Sequence, residues 1–385
     1  MSDHAILAPS SAARRVACPG SCAMEALFPQ TEDSPASREG TAAHWVAAEM
    51  IKGRSNTLSK IAPNGEIVTD EMIEGALLYA KDVAEVLLKY PNINYVQVES
   101  QVSIQSIHPE CSGTPDAWLA TTGINCDQAP RVGVLYVWDY KFGHTPVDAY
   151  ENWQLIEYTA GILDYAYPPG ADVLVHLRVV QPRDYQSGEQ IKEWVISRRE
   201  LEPYFDTLRK AEAAAMEPGA SCTPSPECNH CLARHACPAL ASVALTAVDV
   251  SKGPQPWELN ATKVGYELRY LERAAALLKA RITGLQEQAQ SMIESGNRVP
   301  FYRLEPGKPR ECWNAPAEEI IALGDLMGRK LTAAPKLITP KQAISEGLPA
   351  DLVRKYSTTP TGTPKLVQED IKKIKKMFDR KVKLD

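Results

Sequence analysis

Two aspartates near the ends of consecutive predicted strands are the residues best placed to do chemistry in this sequence. Asp116 lies in the segment 113–118, and Asp139 closes an apolar run and precedes Lys141 by two residues. Residues two apart on a strand project from the same face, so Asp139 and Lys141 share one. Carboxylate oxygens suit Mg²⁺ or Mn²⁺, and a lysine beside them can orient water and stabilise charge on a phosphate. This order predicts metal-dependent hydrolysis of phosphodiesters.

Two further motifs flank the aspartates. Upstream, residues 40–44 read Gly-Thr-Ala-Ala-His; downstream, residues 154–158 read Gln-Leu-Ile-Glu-Tyr. Gln154 and Tyr158 are one helical turn apart and share a helix face. The set, in this order, resembles the PD-(D/E)XK nuclease superfamily, in its RecB-like branch and its phage and prophage members. The resemblance covers residues 1–240.

The resemblance implies roles for particular residues and a fold. The implied metal ligands are His44, Asp116 and Asp139. The implied catalytic set is Asp116, Asp139, Lys141, Gln154 and Tyr158. The sequence leaves the roles of two residues open. Glu99 is either an accessory acid or a salt-bridge partner, and His144 is either a phosphate contact or a turn residue. The implied fold is a restriction-endonuclease-like α/β core, a mixed central sheet flanked by helices.

Cysteines form a second candidate site. Five of the nine cysteines lie in two segments: Cys18, Cys222, Cys228, Cys231 and Cys237. In a chain without an export signal, such clustering favours a metal over disulfides. The run Cys228-x2-Cys231-x5-Cys237 supplies three thiolates, and either Cys18 or Cys222 can supply the fourth. The ligands alone are compatible with zinc or an iron–sulfur cluster. The Cys18-Pro19 context resembles the iron–sulfur branch of these nucleases, which implies a [4Fe–4S] cluster on Cys18, Cys228, Cys231 and Cys237.

Hydrophobic periodicity predicts the elements that position these residues. Apart from a short helical stretch around Cys18, the first 35 residues have the character of a loop. The predicted helices are 40–50, 70–90, 153–165 and 200–215. The predicted strands are 95–99 continuing toward 104, 113–120, 132–140, 172–180 and 191–196. We therefore expect a nuclease domain over residues 1–240 and a mostly helical C-terminal module over residues 241–385.

The C-terminal module begins with a long heptad helix. Apolar residues from Val264 to Met292 recur at alternating steps of four and three, as in a coiled coil. The helix can pack on its own domain, or form an antiparallel arm or a self-association seam. Beyond it we predict a hairpin over 299–312, a short helix over 317–326, and a lysine-rich end over 372–383. That end is either a solvated face or a phosphate contact.

Composition limits the partners. The net charge of −6 argues against a broad histone-like binder, but a local DNA-binding patch remains compatible with it. The N-terminal residues lack a secretory pattern, so we expect a cytoplasmic protein, in the bacterial host cell if it is phage-encoded, that binds DNA and no membrane. We expect an exonuclease or end-processing nuclease in recombination, with a recombination protein as partner. The alternatives are a non-catalytic DNA-binding scaffold and a zinc-stabilised interaction module.

Overall fold

A five-stranded mixed sheet with helices on both faces forms the centre of the protein. The computed structural model describes residues 6–28, 34–54, 61–90, 96–121, 132–250, 260–302 and 304. The strands are β1 Gln97–Val98, β4 Ala117–Thr121, β5 Gly133–Tyr140, β6 Val173–Val180 and β7 Ile191–Ser197. Their order is β1-β4-β5-β6-β7; β5 and β6 pair in parallel, and the other described pairs of this sheet are antiparallel. A separate pair joins β2 Val102–Ser103 to β3 Ser112–Gly113. The predicted α/β class is confirmed.

The helices of the described residues are α1 Ala12–Ala17, α2 Ser21–Glu25, α3 Pro35–Ile51, α4 Asp70–Lys89, α5 Trp153–Ala166, α6 Arg198–Met216, α7 Pro238–Val250 and α8 Ala261–Glu294. Helices α3 and α4 cover one face of this sheet, and α5 and α6 cover the other. One apolar core lies between the sheet and α5 and α6. A second lies between the sheet and α3 and α4. Strand β5 is buried on both faces, which explains its continuous apolar run.

Helix starts follow the capping side chains. The Ser34 hydroxyl accepts a hydrogen bond from the Ser37 N–H, and Pro35 occupies the first turn, so α3 begins before the predicted residue 40. At α6, Ser197 and Glu200 form a reciprocal capping box. The segment predicted as a loop before residue 35 contains α1, α2 and a 3₁₀ turn over Pro9–Ser11, so it is more helical than predicted.

Two predicted strands are each interrupted. The segment 95–104 gives only the short strands β1 and β2, because Glu99 between them has a left-handed backbone, with φ of 51°. The segment 113–120 breaks between β3 and β4. Pro115 lies in that break, where a residue without an N–H cannot extend the ladder. The strands predicted over 132–140, 172–180 and 191–196 are confirmed.

The chain divides into two units. The first, Met1–Val299, contains the sheet and continues through α7 and α8, beyond the boundary expected after residue 240. The second is Pro300–Asp385, of which only residues 300–302 and 304 are described. The predicted hairpin beyond residue 302, the helix over 317–326 and the lysine-rich end lie outside the described residues. Within the described residues, no helix is both long and apolar enough to cross a membrane.

Candidate active site and cysteine pocket

The antiparallel pairing of β4 and β5 brings the two predicted acids together. Ala117 pairs with Trp138, so Asp116 and Asp139 occupy the next position along the ladder. Residues directly opposite on an antiparallel pair have adjacent Cβ atoms. Asp116 precedes β4 and Asp139 lies near the end of β5, so both reach the same edge of the sheet. The carboxylates are nearly buried, with 14% and 3% of their side chains exposed.

Helix α3 supplies the predicted histidine. His44 Nδ1 lies 2.9 Å from Asp116 Oδ1. The other carboxylate oxygen, Asp116 Oδ2, accepts a hydrogen bond of 2.6 Å from the backbone N–H of Tyr140. The His44 ring also meets the Tyr140 ring edge-on, at 5.3 Å between centroids. These contacts hold Asp116 between α3 and the end of β5.

Lys141 connects Asp139 to helix α5. Its Nζ atom lies 3.0 Å from Asp139 Oδ2 and donates to Gln154 Oε1, also at 3.0 Å. Tyr158 lies one turn further along α5 than Gln154. The predicted set of His44, Asp116, Asp139, Lys141, Gln154 and Tyr158 is therefore gathered at one site.

Glu99, which the sequence left open, belongs to this site. Ligand atoms of His44, Glu99 and Asp116 all lie within 4.8 Å of one another, the one such group among the described residues. The Glu99 N–H donates to the Asp116 carbonyl, and the left-handed backbone at Glu99 is costly for a residue other than glycine. Within the described part of the chain, no ion pair to Glu99 forms, so the salt-bridge alternative finds no support there.

Charge is concentrated at the site. Burial and the Asp116 carboxylate raise the pKa of Glu99 to about 7. Burial disfavours charge on Asp116, but protonated His44 outweighs it and lowers the pKa of that carboxyl. Burial raises the pKa of Asp139 despite the opposing charge of Lys141. Several acids lie around a shared space and repel one another. A bound cation would offset this repulsion.

Tyr79 is a site neighbour that sequence reasoning missed. It lies on α4, is 1% exposed, and stacks on Tyr140 with centroids 5.3 Å apart. Burial and the charges of Asp116 and Asp139 raise its pKa. Its hydroxyl has no hydrogen-bond partner among the described residues. In the sequence Tyr79 belongs to an ordinary amphipathic pattern, so only the packing of α4 on the sheet brings it to the site.

A buried ion network ties the N-terminal segment to α5. Arg15 on α1 is 1% exposed and pairs with Glu157 on α5 and Glu212 on α6, both fully buried. It also donates to the Ala8 carbonyl at 2.7 Å. Glu157 lies between the site residues Gln154 and Tyr158. The network thus links the position of α1 to that of the helix that carries them.

Removing the cation from this network should destabilise the fold strongly. Arg15→Met leaves Glu157 and Glu212 buried without their cation, and we expect a loss of about 3–5 kcal/mol in the free energy of unfolding. The matched control is Arg209→Met on α6, whose partners Glu202 and Asp206 are both exposed; it should cost less than about 1 kcal/mol. Urea denaturation of both variants measures the difference. Equal, small losses would show that the network contributes little.

The five clustered cysteines line one pocket. Cys18 follows α1, and the other four lie in the segment 222–237; their neighbours in the pocket include Arg14 and Arg234. Backbone N–H groups of Thr223 and Ser225 point to the sulfurs of Cys18 and Cys228, at 3.2 and 3.4 Å. Burial, with Cys237 and Cys18 close by, raises the pKa of the Cys222 thiol to about 12. Both candidates for the fourth ligand are therefore at the pocket.

Several buried polar atoms at the pocket lack a hydrogen-bond partner within the part of the chain that the structure describes. Arg14 Nε, Ser21 Oγ and Arg234 Nε are buried without a hydrogen bond among the described residues. All three belong to residues that line the pocket. Unsatisfied buried donors are costly and call for an explanation, such as a bound group. Two arginines beside several sulfurs suit an anionic group ligated by thiolates.

Gly20 allows the two cysteine segments to approach. Its N–H donates to the Ser221 carbonyl at 3.0 Å. A Cβ added at Gly20 would lie 2.6 Å from the Ala220 carbonyl oxygen and 2.8 Å from Cys222 Sγ. Only glycine fits this contact without a shift. The sequence analysis did not single out Gly20, although the Pro19-Gly20 pair directly after Cys18 could have indicated it.

The chain belongs to the DUF2800 family, described as proteins of unknown function, whose sequence pattern matches residues 4–373. The match includes the acids, the histidine and all five pocket cysteines. It also extends through α7, α8 and most of the second unit.

Proposed function

We propose that the protein is a metal-dependent DNA nuclease of the PD-(D/E)XK superfamily. The observation that carries the proposal is the convergence of Asp116, Asp139 and Lys141 with His44 at one edge of the sheet. Proteins of many functions share α/β folds, so the proposal depends on the residues of the site and not on the fold. The proposed role is exonucleolytic or end-processing cleavage in recombination.

The topology supports a restriction-endonuclease-like core. The antiparallel strands β4 and β5 carry the acids, α5 crosses to the parallel strand β6, and β7 completes the sheet. Helix α3 brings His44 to the same edge. Gln154 and Tyr158 follow from the crossover helix, in the order that the resemblance implies.

The residues at the edge fit a divalent ion such as Mg²⁺ or Mn²⁺. The donors that lie closest together are the carboxylates of Asp116 and Glu99 and the imidazole of His44, a set of hard oxygens plus one nitrogen. Asp139 lies outside this group and pairs with Lys141, and it is proposed as a further ligand. When bound, the ion supplies Lewis acidity: it neutralises charge on the scissile phosphate and makes water a stronger nucleophile. The mutual repulsion of the acids, described above, is relieved by the same charge.

The side chains of the chain position and polarise the reactants. Lys141 is held by Asp139 and Gln154. Burial opposes its positive charge, but the negative charges of Asp139 and Asp116 outweigh burial and raise the pKa of Lys141. A fixed ammonium at this position orients water and stabilises charge on the phosphate. Gln154 keeps Lys141 in place, and Gln154 and Tyr158 offer hydrogen-bonding groups to the DNA backbone.

The cysteine pocket fits an iron–sulfur cluster, which would be structural. Amide donors to sulfur, two nearby arginines and unsatisfied buried donors suit an anionic centre held by thiolates. The thiolates alone are compatible with a tetrahedral zinc site as well, which is the alternative centre. Cys18, Cys228, Cys231 and Cys237 are the proposed ligands.

Digestion of end-labelled linear DNA and covalently closed circular DNA with Mg²⁺ or Mn²⁺ tests the proposal. Metal-dependent loss of the linear substrate with the circle intact supports an exonuclease. Cleavage of both supports an endonuclease. DNA binding without cleavage in either metal would favour the alternative, a non-catalytic scaffold on a nuclease fold.

His44 should contribute directly to metal affinity. We expect His44→Ala to weaken Mn²⁺ binding at least tenfold, since even groups that only orient a ligand cost about 10–100-fold. His144→Ala is the control, because that side chain is exposed in a turn and its ring lies 6.2 Å from Tyr185. Calorimetric titration with Mn²⁺ measures both variants. Unchanged affinity in His44→Ala would remove this residue from the ligand set.

A further inference from the structure

An apolar stripe on α8 is exposed along most of the helix. We call it the α8 seam; its residues are Val264, Leu268, Leu271, Ala275, Leu278, Ile282, Leu285, Ala289 and Met292. The exposed fraction is 59% at Leu271, 53% at Ile282 and 46% at Leu285. Exposed apolar residues scattered singly are ordinary, but a continuous stripe with heptad spacing marks an interaction surface.

The helix packs on its own unit through a different side. Its buried residues are Leu277, Ala280 and Gly284. Leu277 and Ala280 lie in a small core beside Cys228 and Cys237. A Cβ on Gly284 would meet Arg234 and the His235 backbone, so this close contact depends on glycine. The α8 seam therefore takes no part in holding α8 to the cysteine segment.

We propose that the α8 seam binds the α8 seam of a second copy of this chain, as an antiparallel two-stranded coiled coil. Alternating steps of four and three match the period at which two helices interlock over a long distance. The helix is 34 residues long, which allows about four heptads of contact. Antiparallel pairing of identical helices is self-complementary about a twofold axis, as in most dimers.

The charges beside the seam favour the antiparallel orientation. In the register that packs Ala275 against Leu278 of the second copy, Glu272 lies beside Lys279 of that copy. Symmetry repeats this attractive pair. A parallel pair would instead place Glu267 beside Glu272 of the second copy, again twice, with like charges in contact. Flanking charges of this kind set the orientation of coiled coils.

Sedimentation equilibrium of the full-length protein tests the association. We expect a dimer for the wild type and a monomer for Leu271→Lys/Ile282→Lys. Both side chains are exposed in the single chain, so the variant should keep its fold, as circular dichroism can verify. Tyr270→Lys is the control: Tyr270 is 69% exposed but lies off the seam, and its variant should stay dimeric. A wild-type monomer at 100 µM, which is about a hundred times a typical micromolar Kd, would overturn the proposal. The same monomer is expected if other residues of the same chain cover the α8 seam, so that outcome also counts against the dimer.

Charge exchange tests the orientation. We expect Glu272→Lys to weaken the dimer about tenfold, because two attractive pairs become repulsive. Glu272→Lys/Lys279→Glu should restore the wild-type Kd. In a parallel dimer, Glu272→Lys would relieve the contact with Glu267 and tighten the association. That result, or a double-variant Kd no better than that of the single variant, would overturn the antiparallel register.

Discussion

Asp116→Asn and Asp139→Asn are each expected to lower DNA cleavage by on the order of 10³-fold or more, because each removes a charged ligand from a metal that contributes several kcal/mol. The two acids lie opposite one another at the same end of the β4–β5 pair, Asp139 beside Lys141 and Asp116 beside His44. Asparagine keeps the shape, so the fold should survive. Single-turnover digestion of end-labelled DNA, with thermal unfolding of each variant, measures both effects.

A carboxylate on the same domain but away from the site provides the control. Asp164 lies near the end of α5 and is exposed, so Asp164→Asn should retain wild-type cleavage. Lys141→Met should lose activity to a similar degree as the acids, because the fixed ammonium is lost. Wild-type cleavage in the Asp116→Asn/Asp139→Asn double variant would exclude this site as the catalytic one.

The second large effect is expected at the cysteine pocket. Protein purified without oxygen should be brown and contain iron and sulfide in stoichiometric amounts. Cys18→Ser should lose the iron and lower the melting temperature by more than about 10 °C, because the cluster would tie α1 to the segment 228–237. Through Arg15, α1 also contacts Glu157 on α5, so the loss should loosen the site as well as the N-terminal segment.

Cys222→Ser is the matched comparison, since Cys222 lines the same pocket. We expect it to keep both the iron and the stability. If it empties the site while Cys18→Ser leaves the site full, the ligand assignment is reversed. Zinc without iron in anaerobic protein would remove the cluster proposal and leave the nuclease proposal standing.

Sequence patterns alone predicted the central strands, the longer helices and most residues of the candidate site. The heptad steps predicted α8, the apolar run predicted β5, and residue spacing placed Lys141 beside Asp139. These features are local: they depend on periods of two or 3.6 residues and on neighbours in the chain. The same is true of Gln154 and Tyr158, which share a face because they are one turn apart.

Tertiary structure decided what the chain brings together from a distance. The place of Glu99 beside His44 depends on a left-handed residue that ends β1, and no pattern signals such a backbone. Tyr79 reaches the site only because α4 packs on the sheet. The Arg15 network joins residues 142 and 197 positions apart in the chain. The exposure of the α8 seam was also decided by the tertiary structure, because heptad spacing is equally compatible with a stripe buried against the same chain. In each case the cause is packing between remote segments, which local spacing does not encode.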